Sequence, residues 1–203
     1  MKKLIQSNWL TICILCSLSL IACNNGSSAN TETKSDSSSA AMETKNTMTA
    51  DPMKEHAVAD VTGVFPDTTV TGTVQFDAQP GGKVKMKLDL SIPKKANKLV
   101  AVHIHEKGDC ADMGKAAGGH WNPTNAQHGK WGSSSFHSGD IGNVTLDANG
   151  KGSMEMETDL WSLGGDAKTN ILGKSIIVHG GVDDFTSQPS GNAGTRIGCG
   201  IIK

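Results

Sequence analysis

The chain has 203 residues, with 19 Lys plus Arg against 20 Asp plus Glu and a formal net charge of −1 at pH 7, which leaves no basic footprint for nucleic acid. Its 24 glycines stand well above the roughly 7% usual in globular proteins, and with four Trp, four Phe and no Tyr they favour a turn-rich all-β chain over a helical one. The length suits one folded domain with a sizeable core, and a single cation among the 19 is an arginine, Arg196.

Residues 1–22 begin with Lys2 and Lys3 and run into an apolar stretch from Trp9 to Ala22, too short to span a bilayer and suited to a signal peptide. Leu20-Ile21-Ala22-Cys23 resembles the bacterial lipobox, which implies cleavage before Cys23 and lipidation of that residue. The chain is then expected to be an exported, membrane-anchored lipoprotein, in the periplasm or on the cell surface. An ordinary leader with an incidental Cys is the simpler alternative, because Ala22 suits either cleavage. Cys13 and Cys16 leave with the leader and Cys23 carries lipid, so the domain keeps Cys110 and Cys199, an even pair in an exported protein and hence a disulfide. Residues 23–55 carry Ser, Thr, Asn and Ala with scattered charge and almost no large apolar side chain, which predicts a flexible tether; the folded domain is expected over 56–203.

From there period-2 alternation dominates. Val70, Gly72, Val74 and Phe76 alternate with Thr71, Thr73 and Gln75, and Val84, Met86, Leu88, Leu90 and Ile92 alternate with Lys85, Lys87, Asp89 and Ser91, the pattern of strands with one wet face. Further strands are predicted at 57–64, 98–106, 141–147, 151–158, 175–179 and 197–202, with Asn149-Gly150 as a tight hairpin between two of them. Eight strands predict a sandwich or flattened barrel. Two connections, 107–140 and 180–196, exceed the roughly 12–15 residues beyond which a loop is usually functional or disordered.

Those two loops and their edges hold His103, His105, His120, His128, His137 and His179; only His56 stands apart. On the strand 98–106, Val100, Val102 and Ile104 share one face while Leu99, Ala101, His103 and His105 share the other, so the two imidazoles project side by side. A His-x-His pair alone is more often a solvated pair than a metal site. His120, His128, His137 and Asp140, however, are four possible ligands concentrated in one loop, a tetrahedral set suited to zinc. His179 completes a nitrogen-only set with His103 and His105, which favours Cu(II). Seven ligands furnish four to each of two ions only if one is shared, and a deprotonated imidazole bridges with both nitrogens; His120, between the groups, is the candidate.

The strings His103-Ile104-His105-Glu106-Lys107-Gly108-Asp109-Cys110, Gly118-Gly119-His120-Trp121-Asn122-Pro123, 137–144 and 191–200 resemble the signature segments of the Cu,Zn superoxide dismutase family, over residues 57–202. The resemblance implies an eight-stranded Greek-key β-barrel with two long functional loops, and dismutation of superoxide to oxygen and hydrogen peroxide. It implies copper on His103, His105, His120 and His179, and zinc on His120, His128, His137 and Asp140. Asp183 then matches a carboxylate that links a copper His to a zinc His, and such outer carboxylates fix imidazole tautomers. Arg196 matches the arginine that holds the anion beside copper, its planar donors staying charged at any relevant pH. Arg196 and His120 are therefore the expected catalytic residues, and Cys110–Cys199 the expected disulfide.

The chain departs from the family where many members carry lysines: 183–195 has none, so Lys107, Lys115 and Lys130 are the remaining candidates for drawing the anion inward. The spacing of Cys110 from His105 and His120 is similar to the bacterial branch, and a homodimer is one assembly this allows. A non-catalytic copper/zinc-binding envelope lipoprotein is the competing expectation, disfavoured because both the copper set and Arg196 are intact.

Overall fold

The computed structural model describes residues 52–203; the leader, Cys23 and the tether up to residue 51 lie outside the described residues. Eight strands follow in chain order: β1 (His56–Gly63), β2 (Thr71–Gln79), β3 (Lys83–Ser91), β4 (Leu99–His105), β5 (Gly142–Thr145), β6 (Lys151–Thr158), β7 (Ser175–His179) and β8 (Arg196–Ile201), with 3₁₀ turns at Pro93–Lys95 and Lys115–Ala117. The residues just before β1 already lie against the domain, where the Lys54 amide donates to Leu163 O and Glu55 O accepts from the Ala78 amide.

Every ladder is antiparallel, in the order β5-β4-β7-β8-β1-β2-β3-β6, and the sheet curls into a nearly closed barrel. Chain order departs from sheet order three times: β3 leads across to β4, β5 passes to β6 at the opposite end of the sheet, and β6 returns to β7, which is Greek-key connectivity. Alternation does what the sequence leads one to expect. Val74, Phe76, Met86, Leu88, Val100, Val102 and Ile104 are fully buried in one cluster, while Gln75, Lys87 and Asp89 are exposed. Each apolar side chain of that size contributes about 1.5–3 kcal/mol on burial.

Three expectations need correction. Asn149-Gly150 is a turn, but the strands it joins do not pair: β5 bonds to β4 and β6 to β3. The turn is a corner between the two ends of the sheet, held by Asp147 Oδ1, which accepts from the amides of Asn149 and Lys151 at 2.8 Å each. Arg196 opens β8 opposite His179 rather than ending a loop. A third long connection, 159–174, joins the two expected, and its turns interrupt the period-2 pattern. Its apolar residues Trp161, Leu163 and Ile171 are fully buried and plug one end of the barrel.

Trp161 meets Phe76 edge-on at 5.9 Å and Trp131 at 5.4 Å, and its Nε1–H donates to Ser138 O at 2.8 Å. The plug therefore supports the loop carrying His137 and Asp140. Trp161→Phe keeps most of the packing but leaves a buried carbonyl without its donor, so urea unfolding should show a loss of about 1–3 kcal/mol; unchanged stability would remove the plug from this account.

Candidate metal centre

The outer face of β4 presents His103 and His105 away from the barrel core, and both are nonetheless buried because the connections 106–141 and 180–195 fold over them. His120 is drawn onto the end of β4 by an isolated bridge to His105. His179 ends β7 at a bulge between Val178 and His179, a device that re-aims a side chain. The long loop is stitched to the edge of β4: Ile104 N donates to Gly139 O, Trp121 N to Ile104 O, and Gly139 N to Trp121 O. Gly139 is needed there, since a Cβ would strike the Ile104 carbonyl oxygen.

These supports bring two groups together. The ligand atoms of His103, His105, His120 and His179 lie within 4.8 Å of one another, as do those of His120, His128, His137 and Asp140. All seven residues are buried, and His120 belongs to both groups.

The hydrogen bonds show which ring nitrogens are free to ligate. His105 Nδ1–H donates to Gly118 O at 3.0 Å and His179 Nδ1–H to Gly194 O at 3.1 Å, leaving their Nε2 lone pairs 3.4 Å apart. Asp183 joins the groups from behind: Oδ2 accepts from His103 Nε2–H and Oδ1 from His128 Nε2–H, both at 2.9 Å. The inner nitrogens His103 Nδ1, His120 Nε2 and His128 Nδ1 are buried and have no hydrogen-bond partner. His128 Nδ1 is 2.9 Å from Asp140 Oδ2 but is misaligned for a bond. A buried polar atom without a partner costs about 1–3 kcal/mol, and three facing inward among carboxylate and imidazole ligands fit copper and zinc.

Asp183 sits under Gly191, whose φ is +64; a Cβ at that position would collide with Asp183 Oδ1. Asn143 fixes the Asp183 backbone, its Oδ1 accepting from Asp183 N and its Nδ2 donating to Asp183 O, both at 2.9 Å. Asp140 takes His120 Nδ1 at 2.8 Å and His137 Nδ1 at 3.1 Å on Oδ1, while Oδ2 accepts from the amides of His137 and Gly129. Of these supports, the sequence marks Asp183 alone; the Gly118 and Gly194 carbonyls are backbone atoms with no compositional signal, and Asn143 sits inside a recognised string without a role attached.

Burial disfavours the charged imidazole, and like-charged neighbours add to it. His105 is pushed down to about 2, chiefly by burial and then by His120. Burial and His103 push His179 down to about 3, and burial pushes His120 down to about 4 against the opposing pull of Asp140. These rings are neutral, the form in which an imidazole ligates. Burial works against the Asp140 carboxylate too, but hydrogen bonds from His120 and His137 hold it below the usual range; at Asp183, bonds from His103 and His128 likewise outweigh burial.

A cavity of about 420 Å³ opens beside the first group, lined in part by His105, Glu106, His120, His179 and Arg196. The Arg196 guanidinium donates through Nη1 to Gly114 O at 2.6 Å and through Nη2 to Gly118 O at 2.7 Å, so Gly118 O accepts from both Arg196 and His105. The segment supplying those carbonyls is fastened by the Cys110–Cys199 disulfide across 89 residues. Lys115 borders a smaller cavity together with Arg196, whereas Lys107 and Lys130 are simply exposed.

Residues 70–202 match the family model described as copper/zinc superoxide dismutase (SODC). A superoxide dismutase [Cu-Zn] of Paramecium bursaria Chlorella virus 1 is 38% identical over 166 residues, covering 78% of this chain and 84% of that protein. An extracellular superoxide dismutase [Cu-Zn] of Caenorhabditis elegans is 38% identical over 141 residues, covering 66% of this chain and 62% of that one. Among solved structures, one described as the clock protein EA4 superposes with a TM-score of 0.65 at 29% identity, covering 74% of this chain and 95% of that one.

The depressed histidines set an acid limit. Between the ordinary value of 6.5 and the lower folded values the unfolded chain binds more protons than the native one, so stability falls as pH falls through that window. In the metal-free protein the urea midpoint should drop between about pH 7 and about pH 4.5; a flat profile would show that these rings titrate normally.

Proposed function

Because the chain belongs to the copper/zinc superoxide dismutase family, we propose a division of labour for its residues in the dismutation that this copper- and zinc-dependent enzyme performs. Copper would be held by His103, His105, His120 and His179, and zinc by His120, His128, His137 and Asp140, with His120 common to both sets. The observation that carries this is the tautomer pattern: the outer nitrogens of His103, His105, His128 and His179 are engaged by a carbonyl or by Asp183, and the inner nitrogens of His103, His120 and His128 face inward without partners. His120 offers Nδ1 beside Asp140, which leaves Nε2 for the other group.

Bound copper supplies one-electron redox chemistry, so that two superoxide anions and two protons become one oxygen and one hydrogen peroxide. Arg196 binds the anion. Two of its five N–H donors are spent on Gly114 and Gly118, which fixes the guanidinium plane at the cavity and leaves donors for a small oxygen anion. Whenever it is not serving as a ligand, His120 Nε2 holds and delivers one proton, because that nitrogen has no competing protein partner. Asp183 keeps the protons of His103 and His128 on their outer nitrogens. Asp140, ionised and buried, balances charge in the zinc group and orders its loop.

Residues 1–22 serve as the export leader, Cys23 as the lipid attachment and the stretch after it as the tether, placing the domain at a membrane in the periplasm or on the cell surface. The disulfide supports an oxidising compartment, and the C. elegans relative is named extracellular.

Arg196→Lys keeps the charge but loses the planar fork, so KM should rise with the copper content unchanged, whereas His120→Ala should abolish dismutation and weaken both metals. Full activity after His120→Ala would refute the bridge. Chelation of the purified protein should remove activity and restored copper and zinc return it. Lys115→Ala should make the catalytic rate less sensitive to salt; an unchanged salt slope would excuse Lys115 from steering.

A further inference from the structure

One side chain in the second long loop holds the backbone of a metal-site histidine in the first. Gln188 Oε1 accepts from the His128 amide at 2.9 Å, and Gln188 Nε2 donates to His128 O, also at 2.9 Å. The Nε2 group makes a further contact to Thr186 O at 3.3 Å. A primary amide that both accepts from and donates to one residue reproduces the pairing of an antiparallel ladder, here made by a side chain where neither loop forms a strand. The partner residue is a buried one whose ring is already fastened by Asp183.

We infer that Gln188 is a positioning residue for zinc, acting through His128. The inference rests on the ligand assignment above and deepens it. His128 belongs to the second group only, and its place in the connection 106–141 gives it no strand to lean on. Asp183 fixes the direction of its ring, and Gln188 fixes the N–H and C=O on either side of its Cα. With both ends held, Nδ1 is set 2.9 Å from Asp140 Oδ2 before any ion arrives, so ordering the loop is not charged against zinc binding. His103, His105 and His179 lie on β4 and β7, where ladder bonds hold the backbone, and they do not depend on Gln188.

Asn143 provides the contrast. It grips Asp183 in the same two-bond fashion, but Asp183 serves His103 and His128 together, so a fault at Asn143 reaches both groups. Gln188 acts on one group, Asn143 on two.

The test measures zinc and copper affinities separately in the otherwise intact folded domain by competition with chromophoric chelators, and records the visible spectrum of Co(II) placed in the zinc position. Gln188→Ala should weaken zinc by about 10–100-fold, the usual effect of losing an outer-shell support, alter the Co(II) band pattern and leave copper within about threefold. Gln188→Glu keeps the acceptor but sets a carboxylate oxygen against His128 O, so it should weaken zinc at least as much as Ala; it also serves if the Ala variant folds poorly. Asn143→Ala should weaken both metals. Wild-type zinc affinity and Co(II) spectrum in both Gln188 variants overturn the inference, as does a parallel loss of copper and zinc. If the unaltered protein gives no tetrahedral Co(II) spectrum, the zinc assignment itself falls, and with it the role of Gln188.

Discussion

The Asp183 carboxylate is the constraint from which the rest of the site follows. It accepts from a histidine on a strand and from a histidine in a loop, each at 2.9 Å, with its side chain wholly out of water. An ionised carboxylate in that position is tolerable only because hydrogen bonds replace its hydration. The same bonds settle the tautomers of His103 and His128, and hence which nitrogens look inward. One residue thereby couples a rigid part of the barrel to a loop that has no ladder of its own.

Rigidity is graded outward from the barrel. His103 and His105 inherit the geometry of β4, whose other face is packed into the core by Val100, Val102 and Ile104, so their Cα positions are set by the strongest part of the molecule. Arg196 belongs to β8 through its backbone, but its guanidinium is set by Gly114 and Gly118, which sit on the segment tethered by Cys110. In the chain-entropy account, closing a ring of this length is worth roughly 4–5 kcal/mol to the fold. For the site its placement matters more, because it fixes the carbonyls that orient Arg196. The shared acceptor Gly118 O then ties the anion-binding residue to His105.

The sequence discloses strands and ligands far better than supports. Period-2 alternation placed β2 and β3 because each has one face in the core and one largely in water, whereas the second face of β4 is covered by the long loops. The spacing of His103 and His105 on one side of a strand follows from the pleat alone. Alternation was silent over 159–174, where Trp161, Leu163 and Ile171 fill the barrel end from turns, with no regular period to read. It also misjudged the Asn149-Gly150 corner, since a turn signal specifies a reversal and not which neighbours the flanking strands take. The acceptors Gly118 O and Gly194 O belong to the backbone, so no residue identity encodes them. Asn143 and Gln188 act through long-range amide pairs that only the folded loops bring together.

Charge explains why so polar a cluster is stable once loaded. Asp140 and Asp183 are both ionised and both about 1% exposed, while the three histidines with the most depressed values are neutral. No Lys or Arg forms an ion pair with either carboxylate among the described residues. Hydrogen bonds spread these negative charges but do not cancel them, and in a medium of low polarity the remainder is costly. Divalent cations supply the missing charge and the missing partners for the inner nitrogens in one step. Because the unfolded chain offers no such arrangement, their binding energy adds directly to folding. The barrel thus needs the metals less than the loops do, and it is the loops that carry the anion-binding arginine's acceptors and the second ligand group.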